Sequence, residues 1–156
     1  MFTFEKTESM ITWVLILLAY FIGSIPSALI VSRLSKGIDI REHGDKNPGA
    51  TNTFRVLGMR KGVIVLLMDM LKGILVVYLP VIFGLQPDHF PSFVFLQFLL
   101  GLTAILGHQF SIFAKFRGGM GVATLIGVSI ALKPILVLSF GLVFLLLFFF
   151  LESSND

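Results

Sequence analysis

The sequence predicts an all-α, polytopic integral membrane bundle of about five transmembrane helices, some of them short or kinked. Three observations carry this. Hydrophobic residues make up 56% of the 156-residue chain and charged ones only 13%, more apolar surface than a soluble core of this size can bury. Several apolar runs reach or approach the roughly 20 residues that a helix needs to cross the hydrocarbon slab. The Lys and Arg residues gather in polar stretches between those runs, and in alternate stretches only. One membrane domain over residues 1–156 is the simplest organisation.

The first apolar run, MITWVLILLAYFIGSIPSALIV, covers residues 10–31. It exceeds the roughly 7–15 apolar residues of a signal peptide and no small-residue cleavage pattern follows, so it reads as a retained span. Trp13 near one end and Arg33 and Lys36 beyond the other sit where interfacial anchors belong. Gly23, Ser24, Pro26 and Ser27 predict close helix packing and a kink near the basic end. Residues 32–62, rich in Gly, Asn, Lys and Arg, read as a loop. The second span, 63–83, carries Asp69 and Lys72 on one helix face at i, i+3 spacing. A lone charge at bilayer depth costs roughly 2.5–3.5 kcal/mol on insertion scales, so the two are expected to pair with each other, face the bundle interior or lie near the interface. After GLQPDHFP, which has no Lys or Arg, the third span covers 92–113. The apolar run 122–151 is interrupted only at Lys133-Pro134, which predicts two short helices joined there, with a single kinked helix as the alternative.

Charge sets the expected orientation. Residues 32–62 hold seven basic residues (Arg33, Lys36, Arg41, Lys46, Arg55, Arg60 and Lys61), and the loop after the third span holds Lys115 and Arg117. The positive-inside bias puts both loops, 32–62 and 114–121, in the cytoplasm and the N-terminus outside; five spans would leave the C-terminal LESSND inside as well. The net charge of +3 is scattered over loops without aromatic platforms, which argues against nucleic acid and for anionic ligands at the cytoplasmic leaflet. The chain has no cysteine, which excludes disulfides and thiolate metal sites.

Both basic loops are glycine-rich. In GIDIREHGDKNPGATNTFRVLG, Gly44, Gly49 and Gly58 permit close backbone approach, Asn47, Thr51 and Asn52 offer side-chain hydrogen bonds, and Arg55 offers a planar fork of donors. The set suits an oxyanion, or equally a solvated loop whose Asn and Thr cap helices. In GHQFSIFAKFRGGMGVAT, Gly118, Gly119 and Gly121 precede a helix expected to begin near Val122, so unpaired N–H groups and a positive dipole end face the loop. That is a seat for phosphate, or a tight turn with interfacial anchors Lys115 and Arg117. The spacing of a nucleotide-binding P-loop is absent. His108 reads as a general base, a phosphate donor or a packed polar residue. No carboxylate pair, Ser-His-Asp set or metal-ligand cluster accompanies it, and orientation puts His89 on the other side of the membrane.

The segments GSIPSALI, GDKNPGATNTFRVLG, MDMLKG and LGHQFSIFAKFRGGMGVAT, in that order and spacing, resemble the acyl-phosphate:glycerol-3-phosphate acyltransferase (PlsY) family from Gly23 to about Leu132. The resemblance implies a membrane enzyme that moves a fatty acyl group from acyl phosphate to the sn-1 hydroxyl of glycerol 3-phosphate, giving lysophosphatidic acid, with no metal or nucleotide cofactor. It implies roles in catalysis for Asn47, Thr51, Asn52 and Arg55, and in substrate binding for Gly49, Ala50, Gly118, Gly119 and Gly121; beside these, His108 is a catalytic candidate and Lys115, Arg117 and Thr124 are substrate-binding candidates. Two positions depart from the family pattern: Asp45 replaces a serine, and Met120 replaces the lysine of G-G-K-G. The family continues through further spans to a third motif with His, Asn and Glu, so this chain is expected to correspond to the N-terminal part of a seven-helix acyltransferase. A catalytically silent homologue or fragment binding phosphate or lipid headgroups, and a small transporter subunit using Asp69 and Lys72, are the alternatives.

Overall fold

The computed structural model describes residues 2–85 and 93–135, with 137 and 139. Its α-helices, in chain order, include α1 (Phe2–Gly23), α2 (Ser27–Lys36), α3 (Ala50–Leu57), α4 (Met59–Ile82), α5 (Phe93–Gln109) and α6 (Val122–Leu132). Single 3-10 turns occupy Ile40–Glu42 and Ile112–Ala114. Three stretches are long and apolar enough to cross a membrane, Met10–Lys36, Met59–Ile82 and Phe93–Ala114, and α6 is a shorter apolar helix. His89, most of GLQPDHFP, nearly all of the run beyond Lys133-Pro134 and LESSND lie outside the described residues.

The first span does not merely kink. It breaks over residues 24–26, because Pro26 has no N–H to continue the ladder, and restarts as α2. A broken helix at membrane depth must re-pair the carbonyls it frees. Here the Ser111 hydroxyl donates to the Ser24 carbonyl, and Lys72 Nζ donates to that of Ile25 at 3.1 Å. The Ser24 hydroxyl in turn donates to Gly107 O at 3.2 Å, tying the break to α5.

Residues 32–62 are not one loop. α2 runs on to Lys36 and stops at Gly37, whose left-handed φ of 68° lets its N–H cap Arg33 O. Ala50–Leu57 form α3 and α4 begins at Met59, four residues before the expected start of the span. The reason is packing: Ala50, Val56 and Leu57 put an apolar face against a core cluster of Ala28, Leu29, Ile40, Val65 and Ala114, which a polarity reading of the segment does not reveal. α5 and α6 begin within a residue of expectation, and α6 ends at Leu132, where Lys133 leaves helical geometry (φ −151°, ψ 77°).

α4 is the hub and touches all five other helices. Two helix pairs meet at glycine seams, α4 with α6 and α1 with α5. A Cβ on Gly73 would strike the Thr124 carbonyl of α6, and one on Gly127 of α6 would strike the Met70 carbonyl of α4. α1 and α5 mirror this, with Gly23 against Ala104 and Gly107 against the Tyr20 carbonyl. Lipid tails supply no hydrophobic drive between helices, so backbone contact at small residues is what holds them together. Leu15, Ala19, Val76, Leu96 and Leu100 fill the space between α1, α4 and α5, while Trp13, Leu17, Leu71 and Phe95 face outward, as suits lipid.

Candidate active site at the loop junction

Three spans separate the N-terminus from the second loop, so both basic loops emerge at one end of the bundle, and there they touch. A Cβ on Gly119 would lie 3.0 Å from Pro48 O. Between them opens a cavity of about 100 Å³, lined from the first loop by Asn47, Gly49, Ala50 and Thr51, from the second by Met120, Gly121, Val122 and Ala123, and at depth by Asp69 and His108.

The first loop is a folded object held by Asn52. Its buried carboxamide donates to Ile40 O at 3.1 Å and His43 O at 2.9 Å and accepts from Asp45 N at 3.1 Å. All its hydrogen-bonding capacity but one lone pair is engaged in this way, which makes Asn52 the residue that shapes the loop. Asp45 accepts from Asn47 N at 3.1 Å, and its other oxygen pairs with Arg55 Nη1 at 3.0 Å. The Asp45 carboxylate is therefore neutralised by the neighbouring arginine. Asp39 receives Nε and Nη2 of Arg41 at 3.0 and 2.6 Å, and Arg41 Nη1 crosses to Ala114 O at 2.8 Å. That bond fastens the first loop to the start of the second. Those guanidinium bonds hold the Asp39 carboxyl well below the usual carboxylate range; burial opposes them and Arg33 adds attraction.

The second loop folds back on α5. Gly118 N donates to Gln109 O at 3.0 Å, and the Gln109 side chain donates to Met120 O at 3.0 Å. Lys115 and Phe116 hold left-handed φ of 56° and 58°, which reverses the chain after α5. The N-caps of both α3 and α6 are glycines, Gly49 and Gly121, and neither has a side-chain cap. The first N–H groups of each helix consequently lack intrahelical partners next to the same cavity. Thr124, in the first turn of α6, keeps a fully buried hydroxyl without a hydrogen-bond partner among the described residues.

Below the cavity lies a charged cluster. Asp69 Oδ1 meets Lys72 Nζ at 2.8 Å and accepts from the Ser27 hydroxyl at 2.8 Å; Lys72 Nζ lies 2.7 Å from His108 Nδ1. The expected Asp69–Lys72 pair thus forms, and it has joined a histidine from α5 and a serine from α2. Sequence spacing showed the pair but not the two partners, which lie more than 30 positions away in the chain.

The three expected phosphate cations are not in the lining. Arg55, 65% exposed, lies one turn along α3 from Thr51 and pairs with Asp45. Lys115 and Arg117 are exposed on the second loop. Asn47, Gly49, Ala50, Thr51, His108 and Gly121 do line the cavity, and Gly118 and Gly119 pack beside His108 without lining it. Among the described residues no group of three His, Asp or Glu could hold a metal ion.

Fold and site together define an integral membrane helical bundle in which two glycine-rich loops close one cavity at a single end. A sequence model of the glycerol-3-phosphate acyltransferase family matches residues 13–155, and the chain belongs to that family. It is 50% identical over 139 residues to the glycerol-3-phosphate acyltransferase of Bacillus cytotoxicus, covering 89% of this chain and 66% of that one. It is 48% identical over 134 residues to that of Geobacillus kaustophilus, covering 86% and 64%. Two solved structures of PlsY, an integral membrane glycerol 3-phosphate acyltransferase, are similar to it at 35% identity. The glycerol 3-phosphate form superposes with a TM-score of 0.75 over 89% of this chain and 66% of that one, the lysophosphatidic acid form with 0.72 over 88% and 64%. The chain spans just under two thirds of the length of the curated relatives it matches, 66% of the Bacillus cytotoxicus protein.

Proposed function

We propose that this chain carries the loop-junction site of an acyltransferase that moves a fatty acyl group from acyl phosphate to the sn-1 hydroxyl of glycerol 3-phosphate. The hydroxyl oxygen bonds to the acyl carbon, the bond from that carbon to the phosphate oxygen breaks, and the hydroxyl proton leaves with the phosphate. The products are lysophosphatidic acid and inorganic phosphate. The basic loops face the cytoplasm, where glycerol 3-phosphate is found, and the acyl chain comes from the bilayer of a bacterial cytoplasmic membrane.

One observation carries the reading: two helix N-termini, both capped by glycine alone, open onto one cavity. Unpaired N–H groups and aligned peptide dipoles favour an anion there without any lysine or arginine in the lining. An acyl phosphate is already activated, so holding two substrates in line and stabilising phosphate charge supplies most of what the reaction needs. In this reading Asn47, Gly49, Ala50, Thr51 and Gly121 surround the phosphate, Thr124 being buried outside the lining, and Gly118 and Gly119 hold the second loop against His108. Arg55, at i, i+4 from Thr51, shares a face of α3 with it and contributes charge at the rim, joined by Lys115 and Arg117 of the second loop. Asn52 keeps the loop in shape.

The test is turnover. Purified protein supplied with palmitoyl phosphate and glycerol 3-phosphate should release inorganic phosphate in step with lysophosphatidic acid, and Arg55→Ala should reduce the rate at least tenfold, the scale of one lost charge-assisted phosphate contact of about 1.5–3 kcal/mol. Phosphate binding without turnover would instead support the silent-homologue reading. The Asp69–Lys72 pair, with 1% and 6% exposure, is internally neutralised and favours a packing role over a transport path.

A further inference from the structure

We propose that Lys72 is a positioning residue that holds His108 with its proton on Nε2, so that His108 presents an N–H donor, and not a base, to an anionic oxygen in the cavity. The identity of that oxygen, on a phosphate or on the acyl group, rests on the acyl-transfer reading above; the proton placement does not.

The argument is a count of hydrogens. Lys72 Nζ has three neighbours at hydrogen-bond distance: Asp69 Oδ1 at 2.8 Å, Ile25 O at 3.1 Å and His108 Nδ1 at 2.7 Å. A carboxylate and a peptide carbonyl can only accept, and an ammonium has three hydrogens and no lone pair. Three hydrogens meet three acceptors if Nδ1 is the third, which leaves the neutral imidazole with its proton on Nε2. The competing arrangement is a neutral amine that accepts from Nδ1–H. It would strand the carboxylate of Asp69, 1% exposed, with no cation against it, and a buried unpaired charge is the costlier state. A doubly protonated ring fails as well, since Nδ1–H would point at an ammonium. Asp69 Oδ1, the other charged group facing the ring, is 3.6 Å from Nδ1, beyond hydrogen-bond reach.

The opposite edge of the ring faces the loop junction. His108 is 8% exposed and lines the cavity, and Nε2 has no protein hydrogen-bond partner among the described residues. The backbone of Gly119 lies over that edge, where a Cβ would collide with Nε2. The glycine thus leaves Nε2–H open to a ligand, and the break in the first span matters to the site because it frees the Ile25 carbonyl that holds Lys72.

The 156-residue chain carrying His43→Gln and His89→Gln retains His108 as its sole histidine, the parent sequence having three. With histidine labelled by ¹⁵N and the protein in lipid nanodiscs, the two ring nitrogens report the tautomer directly. The expected spectrum at neutral pH has Nε2 protonated and Nδ1 bare, and adding Asp69→Asn with Lys72→Met, which leaves no buried charge alone, should mix the tautomers. Nδ1–H in the parent, a doubly protonated ring, or an unchanged single tautomer without Lys72 would each overturn the proposal; if the added substitutions prevent folding, the parent spectrum decides. Turnover supplies the second arm. His108→Gln, whose amide donates but takes no proton, should keep its rate within about tenfold and its pH profile, while His108→Leu should lose on the order of 100-fold or more. Equal loss in both, with a pH limb removed, would show a base. Absence of turnover in the parent would reject the acyl-transfer reading and leave the tautomer to be judged by the spectrum.

Discussion

Met120 shows how much a single side chain can change the electrostatics of this site. It lines the cavity at 64% exposure, and the lining holds no Lys or Arg. Placing an ammonium there adds a charge-assisted contact to phosphate, about 1.5–3 kcal/mol, or roughly one to two decades of affinity. On the proposed acyl-transfer reading, Met120→Lys is therefore expected to lower KM for glycerol 3-phosphate by about 10- to 100-fold with little change in kcat, because the contact forms equally with bound substrate and transition state. Steady-state kinetics at fixed acyl phosphate would decide, and an unchanged KM would mean that the side chain does not reach the phosphate. Asp45 is the opposite case. Its charge is met by Arg55 at 3.0 Å, so no bare carboxylate is left beside the cavity.

At the scale of elements, the fragile joint is the clamp between the loops. Arg41 bridges Asp39 and the Ala114 carbonyl, so the register of one loop against the other depends on Asp39 staying ionised. Its folded-state pKa is depressed, first by the Arg41 hydrogen bonds, and the folded protein therefore binds that proton less readily than the unfolded chain. The contribution is complete above the unfolded carboxylate value of about 4 and drains away as pH falls below it. Thermal unfolding in detergent should accordingly show a gap between parent and Asp39→Asn that is constant from pH 8 to about pH 5 and narrows toward pH 3. A gap that does not change with pH would remove Asp39 from the clamp. The glycine seams of α4 with α6 and α1 with α5 set the other limit on these elements, since backbone contact leaves no room for the helices to re-space when a loop shifts.

For the whole molecule, three spans put both loops at one end, and the proposed reading makes that end, with its excess of Lys and Arg, the cytoplasmic one. The chain has no cysteine of its own, so single introduced thiols report their side without background. Lys46→Cys and Lys115→Cys are expected to react with a membrane-impermeant maleimide in inside-out vesicles and not in intact cells, and Thr7→Cys the reverse. Labelling of the two loops from opposite faces would break the shared cavity apart.

Much of the fold can be read along the chain because bilayer length and charge bias are local properties: the apolar runs around α1, α4 and α5, the start of α6 near Val122 and the grouping of the basic loops all follow from composition within about 20 residues. The glycine-rich turns and the Asp69–Lys72 spacing are legible for the same reason. α3 is not, since its helix exists by packing Val56 and Leu57 on residues from α2 and α4, and a polar window looks the same whether or not such a surface is near. Nor are the partners of Lys72. Hydrogen bonds to Ile25, His108 and, through Asp69, to Ser27 join three helices, and their geometry arises only when a broken first span, a glycine-tight α5 and the hub helix meet. Sequence determined which groups are available to the site; tertiary contact decided which of them face the cavity and which are engaged in holding it open, because hydrogen-bond direction depends on distances between segments far apart in the chain.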